Sequence, residues 1–403
     1  MTEATPNLAM LLDPITAAEF FAAHWEHKAL VRTGGGPGRY AGLASLDDVD
    51  AIFRHANVKP TDVRMVYTDE AGVRHERTVG ARPTGGGLDA YRLVNRLYDA
   101  YHRGTSVLLL SLHDYLPPVA RLRSALEAEL HHRVCVNLYL TPRGARACGA
   151  HFDTHDVLIL QLDGCKDWRI WGPAFDLPLE EQKADIDPSR LGEPEHELRL
   201  AAGDLLYIPR GVAHEARTAE GFSSLHLTVA LYTWTWRDLL HEAVDVAARG
   251  DVRLRRSLPV GFLADANSES LTAAGLAEAV AALAEAGAGA RAVERIAARL
   301  VSQSAPTAGG QLRSIDALPE LGLDTIVRRR HGMLCRVATQ GGRAMISFPG
   351  NSVAAPAATR AAFEQVASAT EPFRVRDLSG LGDASKPVLA RRLVAEGVLE
   401  IVD

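Results

Sequence analysis

Cysteine is scarce in this chain. Four occur in 403 residues, Cys135, Cys148, Cys165 and Cys335, with no CxxC pair. That excludes a zinc-knuckle spacing and a disulfide framework, and makes a reducing, cytoplasmic setting the expectation. Long apolar runs are missing as well: eighteen consecutive apolar residues occur nowhere, and the opening MTEATPNLAMLLDP has no basic stretch ahead of an apolar one. Neither membrane insertion nor secretion is therefore expected. There is no excess of positive charge, the net charge being −6, so attraction to nucleic acid would need a local basic patch. The glycines at 34 to 36 precede neither a lysine-serine pair nor a strand-to-helix GxGxxG, which makes them a loop and not a phosphate cradle. Lysine is rare too, five against thirty-nine arginines. What remains, 47% hydrophobic and 23% charged residues over this length, is an ordinary globular composition with room for two or three domains.

The most informative stretch runs from Asn137 to Trp171, NLYLTPRGARACGAHFDTHDVLILQLDGCKDWRIW. His151 and Asp153 stand two apart, just before the alternating run Val157, Ile159, Gln161. Period-two spacing predicts that both side chains leave the same face of one extended segment. Sixty-one residues beyond Asp153, after the strand-like Leu205-Leu206-Tyr207-Ile208 and the run Pro209 to Ala213, comes His214. Two imidazoles and one carboxylate leave about three positions open on a metal, which suits non-haem Fe(II) binding O2 and an organic ligand together. The same ligands also bind zinc. An HxD alone is a short motif that arises by chance, so its weight comes from its neighbours.

Lys166 follows His151 by fifteen residues, past an apparent turn at Asp163-Gly164 between two strand-like runs. Read alone it is a solvated hairpin lysine; beside the HxD, its compact ammonium is a candidate anchor for a buried carboxylate. Asn137, Tyr139, His226 and Thr228 are polar residues in the otherwise apolar strands VCVNLYL and LHLTVAL. A buried polar group needs a partner, and four of them near a triad point to a ligand pocket.

These residues carry a resemblance. HFD at His151 to Asp153, GCKDWRIW at Gly164 to Trp171 and GDLLYIPRGVAHEA at Gly203 to Ala216 resemble the cupin-type JmjC oxygenases known as ribosomal oxygenases. The early FFAAHWEHKALVRTGG looks like that family's opening helix and strand, so the likeness extends over nearly the whole chain. The resemblance implies that His151, Asp153 and His214 bind Fe(II), and that Lys166 pairs with the far carboxylate of 2-oxoglutarate. Tyr139, Thr228, Asn137 and His226 correspond to cosubstrate-pocket positions. Members differ in using arginine or lysine at the cationic position, so Lys166 does not assign the subgroup. The implied activity consumes O2 and 2-oxoglutarate, releases succinate, and hydroxylates an arginine or histidine of a ribosomal protein at its β-carbon. A peptide or small-metabolite hydroxylase, a JmjC-type lysine demethylase and a non-catalytic metal-binding cupin or winged-helix regulator stay open as alternatives.

Taken in order, the chain predicts a helix capped by Thr16 and Glu19 with Phe20, Phe21 and Trp25 on its apolar face. A strand at Leu30 to Arg32, a helix over Ser45 to His55 and a strand at Val63 to Tyr67 follow. The turn Gly85-Gly86-Gly87 precedes a helix through Tyr91, Leu97 and Tyr101; then come a buried strand at Val107 to Leu110 and a helix from Pro117 to about His131. His131 and His132 read as a solvated helix end, where imidazoles suit the helix dipole. From Val134 to about Tyr232, short β-branched and aromatic runs give the pattern of a small barrel or jelly roll. The acidic, proline-bearing segment from Phe175 to Glu197 interrupts it, either as a substrate-facing lid or as a surface insertion.

The expected architecture is a mainly β catalytic core, the double-stranded β-helix of a JmjC/cupin, over residues 1–236. An all-α domain over 237–312 follows, then a winged-helix-like domain over 313–403. Helices over Asp238 to Arg249, Leu271 to Ala286 and Arg291 to Ser302 carry apolar spacing such as Leu276, Val280 and Leu283. From spacing alone they form an intramolecular bundle; the resemblance implies a homodimerisation domain. From Ile315 to Asp403 there are eleven Arg plus Lys and ten Asp plus Glu, a near-neutral tail that favours a structural or protein-interaction role over direct DNA binding.

Overall fold

Short polar side chains start the first helices. Asn7 accepts the Met10 N–H to cap α1 (Leu8–Leu12), and Thr16 with Glu19 forms a reciprocal capping box that opens α2 (Ala17–Ala23). Each such cap stabilises a helix start by about 1 kcal/mol. A computed structural model describes residues 6–55, 58–68, 74–78, 88–184, 186–219, 221–258, 260–263, 268–305 and 309–402. The expected turn at Gly85 to Gly87 lies outside them. The chain divides into two units, residues 1–233 and 234–403.

In the first unit α2 is followed by β1 (Leu30–Arg32), α3 (Leu46–His55), β2 (Val63–Thr68), β3 (Arg74–Thr78), α4 (Leu88–His102), β4 (Ser106–Leu109) and α5 (Pro117–Leu130). Except for β3, which spacing does not predict, these are the expected elements, with boundaries shifted by a residue or two. Seven strands then run in succession: β5 (Arg133–Thr141), β6 (Arg146–His151), β7 (Asp156–Pro173), β8 (His196–Ala201), β9 (Leu205–Ile208), β10 (Val212–Arg217) and β11 (Ser224–Tyr232). Together the strands make an eleven-stranded antiparallel sheet along β1-β9-β7-β11-β5-β4-β2-β3, with β8 and β10 on the far half of β7 and β6 on β10.

The 18-residue β7 belongs to both halves of this arrangement. Residues 156–164 pair with β9 and β11, whereas 165–173 pair with β8 and β10. Asp163-Gly164 is therefore not a hairpin turn but a bend inside one strand. An Asp-Gly pair reads the same in either role; what decides here is that Gly164 has φ +63 and its α-carbon lies against the Ser223 carbonyl, leaving no room for a Cβ. Alternation along β7 explains the core. Leu158, Leu160 and Leu162 pack with Leu122, Leu126 and Phe20, while Val157 and Ile159 face Trp168, Ile170, Leu200, Leu206 and Ile208. Burial on both faces is why β9 and β11 read as near-continuous apolar runs.

Two local readings change. Phe21 is exposed, so Phe20 and Trp25 carry the packing of α2 and the turn after it. His131 is an exposed left-handed cap of α5, but His132 stacks flat on Trp25 at 6.0 Å and is half-buried, not solvated.

The second unit holds α6 (Trp236–Gly250), α7 (Ser268–Glu285), α8 (Gly289–Gln303) and α9 (Gln311–Asp316). It continues with β12 (Ile326–Arg329), β13 (Arg336–Gln340), β14 (Arg343–Phe348), β15 (Asn351–Pro356), α10 (Arg360–Ser368), β16 (Phe373–Arg374), α11 (Ser385–Ala395) and β17 (Leu399–Ile401). Its strands form two three-stranded antiparallel sheets, β16-β12-β17 and β13-β14-β15. Alanines 243, 247, 288 and 292 let α6 approach α8, and the buried Glu242 accepts from both Arg295 and Arg299. Leu276 and Val280 are 65% and 58% exposed, so they do not fill an intramolecular bundle core. Among the described residues, no single helix is long and apolar enough to cross a membrane.

Candidate active site

Strand pairing brings the sequence-distant histidines together. His151 is the last residue of β6 and the register partner of His214 on β10; their rings lie 4.4 Å apart, centroid to centroid. Asp153 is not on a strand, contrary to the single-segment expectation: β6 ends at His151 and β7 starts at Asp156. Its backbone is nonetheless held, since its carbonyl accepts the Gly211 N–H at 2.9 Å. The carboxylate then comes within 3.7 Å of His214 Nε2, and one potential ligand atom from each of the three residues lies within 4.8 Å of the other two.

Both rings are oriented by the backbone. His151 Nδ1 meets the Gly149 carbonyl at 2.9 Å and His214 Nδ1 meets the Val212 carbonyl at 3.0 Å. A carbonyl can only accept, so each Nδ1 carries the proton and each Nε2 is left with its lone pair, the tautomer that a metal ligand needs. Burial, with the nearby His151, pushes His214 down to about 4, so its imidazole is neutral at physiological pH. Burial alone would raise the Asp153 carboxyl, but the imidazoles of His155, His214 and His151 with the Lys183 ammonium hold it below its ordinary value. The result is a neutral donor beside an ionised one, a set suited to a divalent metal.

The triad opens into a small pocket lined by Tyr139, Ile159, Lys166, Trp168, Ala216, His226 and Thr228. Lys166 is 2% exposed, which removes the solvated-hairpin reading; Nζ donates to Thr141 Oγ1 at 3.1 Å and stands 5.9 Å from the Tyr139 and Trp168 rings. Two polar atoms at the same pocket, Trp168 Nε1 and His226 Nδ1, are buried without a hydrogen-bond partner. Burial, followed by the Lys166 charge, holds His226 well below its ordinary value and hence neutral. A cation and two unsatisfied nitrogens around one cavity fit a small carboxylate ligand better than an empty core.

Seven of the eight sequence-selected residues thus meet: the triad, Lys166, Tyr139, Thr228 and His226. Asn137 does not line the pocket; its Oδ1 accepts the N–H of Ser111, a left-handed residue at the end of the β4 connection. Thr141 and Trp168 were missed. Strand alternation was the available signal, since Thr141 lies two residues after Tyr139 and Trp168 two after Lys166. Phe175 stacks on Phe152, the residue between His151 and Asp153, at 6.3 Å, and Trp171 Nε1 donates to the Gly192 carbonyl, so the 175–197 segment is tied to β7 and to the triad-bearing segment.

A large antiparallel sheet carrying this constellation is consistent with a JmjC core, and residues 109–239 match the JmjC domain. The chain is also similar in sequence to proteins named ribosomal oxygenase and histidyl-hydroxylase. It is 35% identical over 273 residues to Ribosomal oxygenase 1 of Gallus gallus, covering 65% of this chain and 44% of that protein. To the bifunctional lysine-specific demethylase and histidyl-hydroxylase NO66 of Dictyostelium discoideum it is 32% identical over 264 residues, 64% of this chain and 50% of the relative. The chain thus spans half or less of these relatives' length. In fold it is similar to the Escherichia coli ribosomal oxygenase YcfD, solved in complex with cobalt and 2-oxoglutarate, with TM-score 0.58, 20% identity and coverage of 97% of this chain and 99% of that one. Fold likeness therefore reaches nearly the whole chain, while the sequence likeness to the curated relatives covers about two thirds of it.

Proposed function

We propose that this protein is an Fe(II)- and 2-oxoglutarate-dependent oxygenase that hydroxylates a protein side chain, an arginine or histidine of a ribosomal protein. One observation carries the reading: a buried lysine and a His-Asp-His set with both Nε2 atoms free share a single cavity. His151, Asp153 and His214 would hold the iron. Lys166, with Thr141 as its neutral partner, would hold the far carboxylate of 2-oxoglutarate, and Tyr139, Thr228, His226 and Trp168 would shape the pocket around it. The bound metal supplies O2 activation coupled to oxidation of the cosubstrate. The chain's own part is to keep the His214 imidazole neutral and the Asp153 carboxylate ionised, and to orient both rings. The relatives' printed names, ribosomal oxygenase and histidyl-hydroxylase, support a ribosomal-protein target. One of those names also includes lysine demethylation, which keeps a methyl-lysine substrate as the second reading.

In the same reading residues 237–312 form a dimerisation domain and 313–403 a winged-helix-like domain with a protein-interaction role. The exposed stripe Trp236, Leu240 and Val244 on α6, with Leu276 and Val280 on α7, supports a second copy as its cover. A cytoplasmic location completes the picture. The test is succinate formation by purified protein with Fe(II), 2-oxoglutarate and ascorbate, with and without a ribosomal-protein extract, followed by mass spectrometry. Stimulated turnover with a gain of about 16 Da on a ribosomal protein is expected. A loss of about 14 Da, one methyl exchanged for hydrogen, would select demethylation, and no turnover by iron-loaded protein would leave a metal-binding cupin.

A further inference from the structure

Between the two ligand-bearing segments lies a buried charge cluster that touches no triad side chain. Asp156, three residues after Asp153, is fully buried. Its Oδ2 accepts from Arg210 Nη1 at 3.1 Å, and its Oδ1 accepts from the Tyr207 hydroxyl at 2.8 Å and from the Arg210 backbone N–H at 3.4 Å. Arg210, four residues before His214 and 8% exposed, also reaches Glu26 Oε1 at 2.5 Å and Thr233 Oγ1 at 2.8 Å. The Tyr207 hydroxyl in turn accepts the Glu26 N–H at 2.9 Å. Burying charges in this way adds little stability compared with a well-packed apolar cluster of the same size. What such a cluster does provide is a fixed geometry, through directional bonds from one guanidinium to several chain segments.

The segments it fixes are those that carry the triad. Asp156 begins β7 directly after the Asp153 turn, and Arg210 stands next to Gly211, whose N–H is the bond that holds the Asp153 carbonyl. Gly211 has φ +84, and its α-carbon sits so close to the Phe175 carbonyl that a Cβ would come within 1.8 Å of the oxygen. This turn therefore cannot shift to compensate for a loosened neighbour. We propose that Arg210 is a positioning residue for the metal triad: by clamping Asp156 and Glu26 it sets the spacing between the Asp153 turn and the His214 strand. This rests on the metal assignment made above.

The experiment uses the full chain and cobalt(II) alone as probe, with binding measured by titration and unfolding by thermal melt. The proteins compared are the wild type, Asp153→Ala, Arg210→Met, Arg210→Lys and the double variant Asp156→Asn with Arg210→Met. Arg210→Met leaves Asp156 buried without its counter-charge and lowers the melting temperature; the double variant removes the charges of both residues and restores it. If Arg210 positions the triad, cobalt affinity falls by about 10- to 100-fold in Arg210→Met, the range seen for groups that orient metal ligands. It then stays low in the double variant despite the restored fold, and Arg210→Lys recovers part of it. Recovery of both melting temperature and affinity in the double variant would make the cluster purely structural and overturn the proposal, as would unchanged affinity in Arg210→Met. Equal cobalt binding by wild type and Asp153→Ala would overturn the metal assignment itself, a separate outcome.

Discussion

His151 and His214 are register partners across β6 and β10, and each ring is tied through Nδ1 to the carbonyl two residues before it. The backbone of one ladder thus sets both imidazoles, without help from another side chain. Truncating one should therefore remove a ligand and leave the ladder intact. His214→Ala is expected to keep its fold and lose cobalt affinity by at least about 100-fold, the upper end of what changes outside the ligand set cost. Asp153→Ala should likewise abolish iron-dependent succinate formation. Metal titration alongside circular dichroism checks both, and a folded His214→Ala protein with undiminished binding would remove the triad assignment.

Lys166 is a different kind of residue, since nothing in the triad depends on it. Its ammonium has a neutral hydroxyl partner in Thr141 and lies among aromatic rings. Lys166→Ala should leave cobalt binding unchanged and raise the apparent requirement for 2-oxoglutarate by about 10- to 150-fold, the equivalent of a hydrogen bond to a charged group. A titration of succinate production against cosubstrate reads this directly. No change in that curve would move the carboxylate anchor elsewhere.

Trp168 separates a packing role from a bonding one. Its ring packs between Val157, Ile159 and Ile170, while Nε1 is buried without a partner at the pocket wall. Trp168→Phe keeps most of the ring and deletes only the donor. If the cosubstrate supplies the missing acceptor, its KM should rise about 5-fold with kcat nearly unchanged, as a neutral hydrogen bond of about 1 kcal/mol requires. An unchanged KM would mean that Nε1 faces no ligand group.

The sequence made the chemistry legible where residue type alone is diagnostic. His151, Asp153, His214 and Lys166 stand out because imidazole, carboxylate and a rare lysine are uncommon in apolar strands, and strand pairing then gathered them. Asn137 shows the limit: a polar residue in such a strand needs some partner, and pattern cannot say whether that partner is a ligand or, as here, the Ser111 backbone. His132 misled for a similar reason, because its stacking on Trp25 joins residues more than a hundred positions apart. The β13-β14-β15 meander was not read at all. Its outer strands β13 and β15 are mostly exposed or half-exposed, and only the six-residue β14 alternates, which is too short a signal to stand out alone.

Gly164 links fold to site most directly. It lies where β7 passes from one half of the sheet to the other, with φ +63, and Cys165 N donates to the same Ser223 carbonyl that a Cβ at Gly164 would strike at 1.9 Å. Gly164→Ala must either adopt an unfavourable left-handed conformation, at about 1–2 kcal/mol, or push β7 away from the β10–β11 connection. Either displacement reaches Lys166, two residues on. The expected result is a loss of at least about 2 kcal/mol in urea unfolding, accompanied by weaker use of 2-oxoglutarate. Gly275→Ala in α7 provides the opposite case, because no atom lies within 4 Å of its added Cβ and the position is helical. That variant should gain about 0.5–1 kcal/mol and leave turnover alone. If both substitutions shift stability alike, the close approach at Ser223 does not govern the bend, and the placement of Lys166 must come from its pairing with β8 instead.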